Sequence, residues 1–258
     1  MLILLPPSEG KAEATEGPPL DLDALSFPEL RATRERVLAG LIRVSGQRNA
    51  RAVLGLAPGL AAQVERNTRL REAPTQAAER VYTGVLYEAL GLTGLSPGAR
   101  ARAGSSVLVV SALFGLLRPG DAIPAYRLSM DVALPRIGPL ATRWRSVLAP
   151  AIERAAGEGV VVDCRSSTYV AAWRPSAALA PRVLAIRVLQ EQAGRRTVVS
   201  HMAKKTRGDV ARQLLTSRRE IRRPEDVLAA LRPAFAVEPT APARAGAGWT
   251  LDVIVQAP

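Results

Sequence analysis

Only three side chains of this protein carry a primary amine, Lys11, Lys204 and Lys205, although Lys and Arg together number 35. The difference is chemical. Arginine is a rigid fork that stays charged, whereas lysine is a compact ammonium whose pKa falls on burial or beside other cations. The lysines fall in two short motifs, Pro6-Pro7-Ser8-Glu9-Gly10-Lys11 and His201-Met202-Ala203-Lys204-Lys205-Thr206-Arg207-Gly208. In the first, Ser, Gly and Lys follow an apolar run, the outline of a phosphate-gripping loop. Neither the two-glycine spacing nor the Lys-Ser/Thr pair of a Walker loop is present. Glu9 is placed to act as a general acid or base, or to orient Lys11. The plain alternative is a surface turn with a solvated Glu-Lys pair.

Three other segments carry suitable groups. Ser111 ends an apolar run and leads through Gly115 to Ile123-Pro124-Ala125-Tyr126-Arg127, where Tyr126 and Arg127 suit stacking on a base and gripping an anion. The competing reading packs Phe114 and Tyr126 into the core. Asp163-Cys164-Arg165-Ser166-Ser167-Thr168-Tyr169 reads as a strand end opening into a helix. Ser166 and its neighbours would offer hydroxyls and free N–H groups to an anion, or serve as an ordinary cap. In the second lysine motif, Lys204 and Arg207 share a helix face, with Lys205 and Arg212 nearby. Cations at a helix start oppose its dipole, which suits a ligand-facing role. Leu92-Thr93-Gly94-Leu95-Ser96-Pro97-Gly98-Ala99 has the outline of a helix-hairpin-helix with Ser96 replacing the second glycine, and reads as an ordinary helix–helix turn.

These residues need a scaffold. Apolar runs at 2–5, 107–111 and 160–163 predict buried strands, and alternation predicts strands at 182–189, 197–202 and 249–256, with a turn at 193–194. Helical spacing covers 26–44, 58–71, 76–91, 139–156, 204–217 and 224–231. Ser96 caps a further helix with Pro97 in its first turn. Residues 12–23, 114–126 and 239–248 read as loop or linker, and 166–173 as a short helix or turn. Strands and helices alternate throughout, which predicts one α/β (mixed α+β) domain over residues 1–258, a central mixed sheet flanked by helices.

Composition sets limits. At 258 residues, 48% hydrophobic and 22% charged, the chain is of globular type, with a core of Leu, Val and Ala because aromatics are only 4%. A net charge of +12 favours phosphate-bearing partners, whether nucleic acid, nucleotide or an anionic membrane surface. Arg-rich, Lys-poor usage is also what a GC-rich genome produces. The single cysteine, Cys164, excludes an internal disulfide and reads as a buried strand-end thiol. One His and one Cys give no usual zinc site and little capacity for an iron-handling role, so no metal or cofactor is expected. No run is long enough for a membrane span or leader, so a cytoplasmic location and no membrane partner are expected.

Taken together, the motifs resemble the peroxide stress protein YaaA family. The resemblance is carried by Leu4-Leu5-Pro6-Pro7-Ser8-Glu9-Gly10-Lys11, Val81-Tyr82-Thr83-Gly84, Ser111 to Pro119, Pro124 to Leu128, and Ala203 to Gly208, in the family's order and spacing across nearly the whole chain. Two departures are local: Arg165-Ser166-Ser167-Thr168-Tyr169 stands where the family usually has Ala-Ser-Asn-Glu-Tyr, and Phe114 where Tyr is common. A thinner similarity, through the Tyr-Thr-Gly and Ser-x-x-x-Gly-Leu pieces, links the chain to domains associated with deazaguanine modification of nucleic acids. The resemblance implies protection from hydrogen peroxide and DNA binding. Two functions follow as expectations. One is a DNA-binding stress protein whose basic cleft uses Lys11, Arg127, Lys204, Lys205 and Arg207. The other is an enzyme acting on a nucleotide or nucleobase, with Glu9, Lys11 and Lys204 as catalytic candidates. Its anion-binding pocket would include Ser8, Ser111, Tyr126, Arg127, Ser166 and Tyr169.

Overall fold

The computed structural model describes residues 1–192, 195–198, 201–242 and 247–256. Leu2–Leu5 (β1) is wholly buried and lies in the middle of an eight-stranded sheet. Its neighbours are Val107–Ser111 (β2) and Val161–Asp163 (β4), both parallel to it and also buried. A strand covered on both faces has no polar side to show, which is why these runs are continuously apolar. Gly115–Leu117 (β3) pairs antiparallel with β2. On the other side β4 is followed by Val183–Gln192 (β5), parallel, and then by Trp249–Gln256 (β8), parallel to β5. Arg195–Val198 (β6) folds back on β5, and Ala236–Thr240 (β7) closes the far edge against β8, both antiparallel. The order is β7-β8-β5-β4-β1-β2-β3, with β6 on β5, a mixed sheet as the alternating pattern predicts.

The sheet's connections create a crevice. The chain leaves β1 toward β2 and leaves β4 toward β5, so the connections diverge between the two central strands. Ligands in α/β sheets gather beyond the carboxyl ends of strands at such a point. The flanking helices are Arg31–Ser45 (α1), Val85–Leu90 (α2), Pro97–Ser106 (α3), Leu140–Ala156 (α4), His201–Thr216 (α5) and Pro224–Leu231 (α6). Two contacts fix their placement. Gly208 of α5 lies against the Leu86 carbonyl of α2, where a Cβ would come within 2.2 Å. Trp144 of α4 covers Gly115 and donates its indole N–H to the Ala112 carbonyl at 2.8 Å. Gly115 also has φ +73, so Gly115→Ala meets both left-handed strain and the indole ring. A loss of about 1–3 kcal/mol is expected in urea denaturation.

Several predicted boundaries shift for identifiable reasons. The helix expected over 76–91 is split into Ala78–Val81 and α2, with a break at Tyr82–Gly84. There Lys11 bridges to Tyr82, and the Thr83 N–H goes to Ser8 Oγ at 3.0 Å, so two helical hydrogen bonds are diverted. The loop expected over 114–126 contains β3 and the short strand Ala122–Ile123, which pairs with Gln76–Ala77. The strand expected over 197–202 is Arg195–Val198, and α5 already starts at His201. The predicted turn at 193–194 lies outside the described residues. The linker expected from 239 begins inside β7. Arg34, in α1, is fully buried and donates to the carbonyls of Ser26, Phe114 and Leu116 at 2.6–2.9 Å, pinning the loop that leads into β3.

Candidate functional site at the carboxyl end of the sheet

All four tyrosines of the chain gather beyond β1, β2 and β4. Tyr82 and Tyr87 stack with ring centroids 5.3 Å apart. Tyr126 meets Phe114 edge-on at 5.5 Å. Tyr87 anchors the wall by donating its hydroxyl to the Pro6 carbonyl at 2.7 Å. A hydrogen-bonded chain runs Ser111–Tyr126–Tyr82, at 2.7 and 3.0 Å. Its direction follows from valence. Ser111 Oγ accepts from the N–H groups of Leu113 and Phe114, which fills both lone pairs, so its own proton goes to Tyr126. The Tyr126 proton then goes to Tyr82, and the Tyr82 proton has no acceptor among the described residues. Burial raises the pKa of Tyr82, Tyr87 and Tyr126 and pushes Tyr169 up to about 12, so the hydroxyls stay protonated.

Lys11 is set into this aromatic wall. Its ammonium lies 4.3 Å from the Tyr126 ring centroid and 5.6 Å from that of Tyr82. It donates to the Ser8 carbonyl at 2.7 Å and to the Glu9 carbonyl at 3.5 Å. The residue keeps partial exposure, but its amine is crowded by rings, and the crowding decides its titration. Burial is the largest cause of a pKa brought down to about 7; Arg127 pushes the same way, Glu9 opposes, and Arg66 adds a little. Glu9 does not meet the amine through its carboxylate. That group is exposed and pairs with Arg127 at 3.2 Å. Arg127 is held by Asn67, which accepts its N–H at 2.9 Å and donates to its carbonyl at 2.8 Å. Arg66 pairs with Glu13.

The other predicted residues divide. Ser8, Glu9, Lys11, Ser111, Tyr126, Arg127 and Tyr169 belong to this one cluster; Tyr169, its pKa raised mainly by burial, is close enough for Glu9 and the other three tyrosines to act on it electrostatically. Tyr126 is buried, with its ring toward Lys11. Ser166 precedes a four-residue helix, Ser167–Val170, and makes no side-chain capping bond. Lys204 and Lys205 are exposed on α5, and Lys205 pairs with Asp209 at 2.9 Å. The carboxyl end of α5 at Leu214 shares a groove with Met1, so its amino end, with both lysines, lies at the same end of the sheet as Lys11. No direct contact joins them to Lys11 among the described residues. Arg207 reaches toward Ile186 O at 3.4 Å and lies near Cys164, and its buried Nε has no partner among the described residues. Arg212 donates to the carbonyls of Leu90 and Gly91, closing the end of α2. The Ser200 backbone and the His201 side chain lie outside what is described.

The sequence reading passed over Asn67, Arg66 and the structural part of Tyr82 and Tyr87. Scarcity was the available signal: four tyrosines in 258 residues, all in one place. Among the described residues, no three of His, Cys, Asp and Glu gather as metal ligands, and no helix is long and apolar enough to cross a membrane. A groove of about 660 Å³ lies at the opposite, amino end of the strands, lined by Met1, Gly159 and Arg222 among others. Its charges pair with one another, Arg222 with Glu220 and Arg223 with Asp226, and it holds none of the candidate residues.

Comparison with known proteins gives a family. A family model described as peroxide stress protein YaaA matches residues 1–241. A UPF0246 protein of Streptomyces coelicolor is 46% identical over 258 residues, covering 99% of this chain and 98% of its own. A UPF0246 protein of Corynebacterium efficiens is 42% identical over 224 residues, covering 85% and 87%. One from Corynebacterium glutamicum strain R is 39% identical over 232 residues, covering 88% and 90%.

Proposed function

Because this chain belongs to the peroxide stress protein YaaA family, we propose that it acts in the response to peroxide by binding DNA through a basic cleft at the carboxyl end of its sheet. The whole chain, residues 1–258, would serve as one cytoplasmic domain. One observation carries this reading: Lys11, Arg127 and Arg66 converge at the strand crevice of a protein with net charge +12, and Lys204 and Lys205 stand at the same end. Few aromatic faces are open, so phosphate and shape would dominate over base stacking. Binding should then weaken steeply with salt through counterion release. Lys204→Ala/Lys205→Ala is expected to lower affinity for labelled duplex, single-stranded and hairpin DNA alike. The slope of log K against log salt should become shallower by about one to two. Unchanged affinity and slope would remove these lysines from the cleft.

A second reading is favoured by one specific feature, the Lys11 amine with a pKa near neutrality inside an aromatic wall. Such an amine suits a nucleophile or base acting on a nucleotide or nucleobase. Lys204 would enter this reading only through an anion reaching from the crevice to α5. Acetylation of Lys11 measured against pH tests it. A midpoint near 7 supports a reactive amine, and a midpoint in the ordinary lysine range opposes one.

A further inference from the structure

We infer that Lys11 is a nucleophile for carbonyl compounds, its amine condensing with an aldehyde carried on a phosphorylated sugar to give a protonated imine against the faces of Tyr126 and Tyr82. This deepens the second reading above and rests on it. The nitrogen lone pair attacks the carbonyl carbon, the C=O π pair moves to oxygen, and the proton lost from nitrogen goes to that oxygen to give the carbinolamine. A second proton, from water at the exposed Glu9-Gly10 turn, lets the oxygen leave as water while the nitrogen lone pair forms the C=N bond. No atom is oxidised or reduced, and no co-reactant is needed.

Four features of the site fit this chemistry. The amine is held by the Ser8 carbonyl at 2.7 Å beside the exposed turn at Glu9 and Gly10, so it is fixed but approachable. The protonated imine is a cation, as the starting ammonium is, and the Tyr126 ring 4.3 Å away stabilises it in the same way. The departing oxygen needs a hydrogen-bond donor. The chain Ser111→Tyr126→Tyr82 ends on a hydroxyl proton with no acceptor among the described residues, on a tyrosine whose ring centroid lies 5.6 Å from the amine. Arg127 and Arg66 supply cations for a phosphate, and the carboxylates now on them, Glu9 and Glu13, are 78% and 58% exposed, so an anion can replace them. The depressed pKa of Lys11 adds to this geometry, since about half of its amine is neutral at pH 7.

A phosphorylated sugar aldehyde has two sources, an abasic residue in a DNA strand or a free sugar phosphate. The full chain is incubated at pH 7 with a duplex bearing one abasic site or, separately, with 2-deoxyribose 5-phosphate. Sodium cyanoborohydride is then added, and the peptides are mapped by mass. Three side-chain amines make the map simple and need no variant. The expected result is a reduced adduct on Lys11, favoured over an ordinary surface lysine by at least roughly a hundredfold. Lys11→Arg should lose it. An adduct in the duplex arm alone assigns the nucleic-acid source, and one in the small-molecule arm alone assigns the free sugar. Absence of a Lys11 adduct in both arms, or label spread evenly over all amines, overturns the inference. If Lys11 still reacts with acetic anhydride at pH 7 in that case, the reactive-amine reading stands and the carbonyl assignment alone fails. If it does not, both fail.

Discussion

Arg165→Ala should cost the fold about 3–5 kcal/mol, because it leaves a buried carboxylate without its partner. Arg165 is 3% exposed and Asp163 7%. Their bond is bidentate, Nε to Oδ1 at 2.8 Å and NH2 to Oδ2 at 2.7 Å. The same guanidinium donates to the carbonyls of Tyr169 and Trp173 at 3.0 and 3.1 Å and lies over the Trp173 ring. Arg165 therefore folds the segment after β4 back on itself and places Tyr169 in the site. Removing both charges together, Asp163→Leu/Arg165→Met, should recover much of the loss, since no buried charge is then left alone. Urea midpoints of the single and double variants check this. Equal midpoints for Arg165→Ala and the wild type would mean that the pair does not organise the segment.

Lys11→Met should stabilise the protein at pH 6 by about 2–4 kcal/mol and flatten its stability profile above neutrality. The sign follows from the folded pKa of about 7, lowered mainly by burial, against an unfolded value near 10.4. Between these values the unfolded chain binds the proton that the folded one has released, so stability rises with pH across the window. It falls as pH drops toward 7, where the fold must carry the buried ammonium. The tyrosines act in the opposite direction and only later: their raised pKa values make stability fall above about pH 10. Guanidinium melts at pH 6, 8 and 9.5 for both proteins separate the contributions. A wild-type profile flat from 7 to 9.5 would contradict a desolvated Lys11.

The sequence made the sheet legible because its central strands are short, apolar and bounded by Pro, Gly or charge, as at Leu2–Leu5 before Pro6-Pro7. The mixed architecture followed from that pattern, whereas the parallel pairing of the central strands is seen only in the structure. What local spacing missed was set by tertiary contacts. The helix pattern across 76–91 is genuine, but Ser8 and Lys11, about 70 residues earlier, break it at Tyr82–Gly84. β3 is only three residues long and is held by Trp144 and Arg34, neither of which is near it in sequence. The site was legible in part. Lysine scarcity pointed to Lys11, and the Ser111 and Tyr126 motifs proved to be its neighbours. Asn67 and Arg66 carried no such mark, because their roles come from a carbonyl and a charge supplied by distant loops. Arg212 looked like part of a cationic face and is instead a cap on α2.

The most direct test of a DNA-binding cleft centred on Lys11 is an acetylation footprint of the three lysines at low salt, with and without saturating duplex. If DNA lies across the carboxyl end of the sheet, Lys11, Lys204 and Lys205 should all be protected, and raising the salt should release all three together. Lys11 labelling at the same rate with and without duplex, while the protein remains bound, would place DNA elsewhere and contradict the cleft.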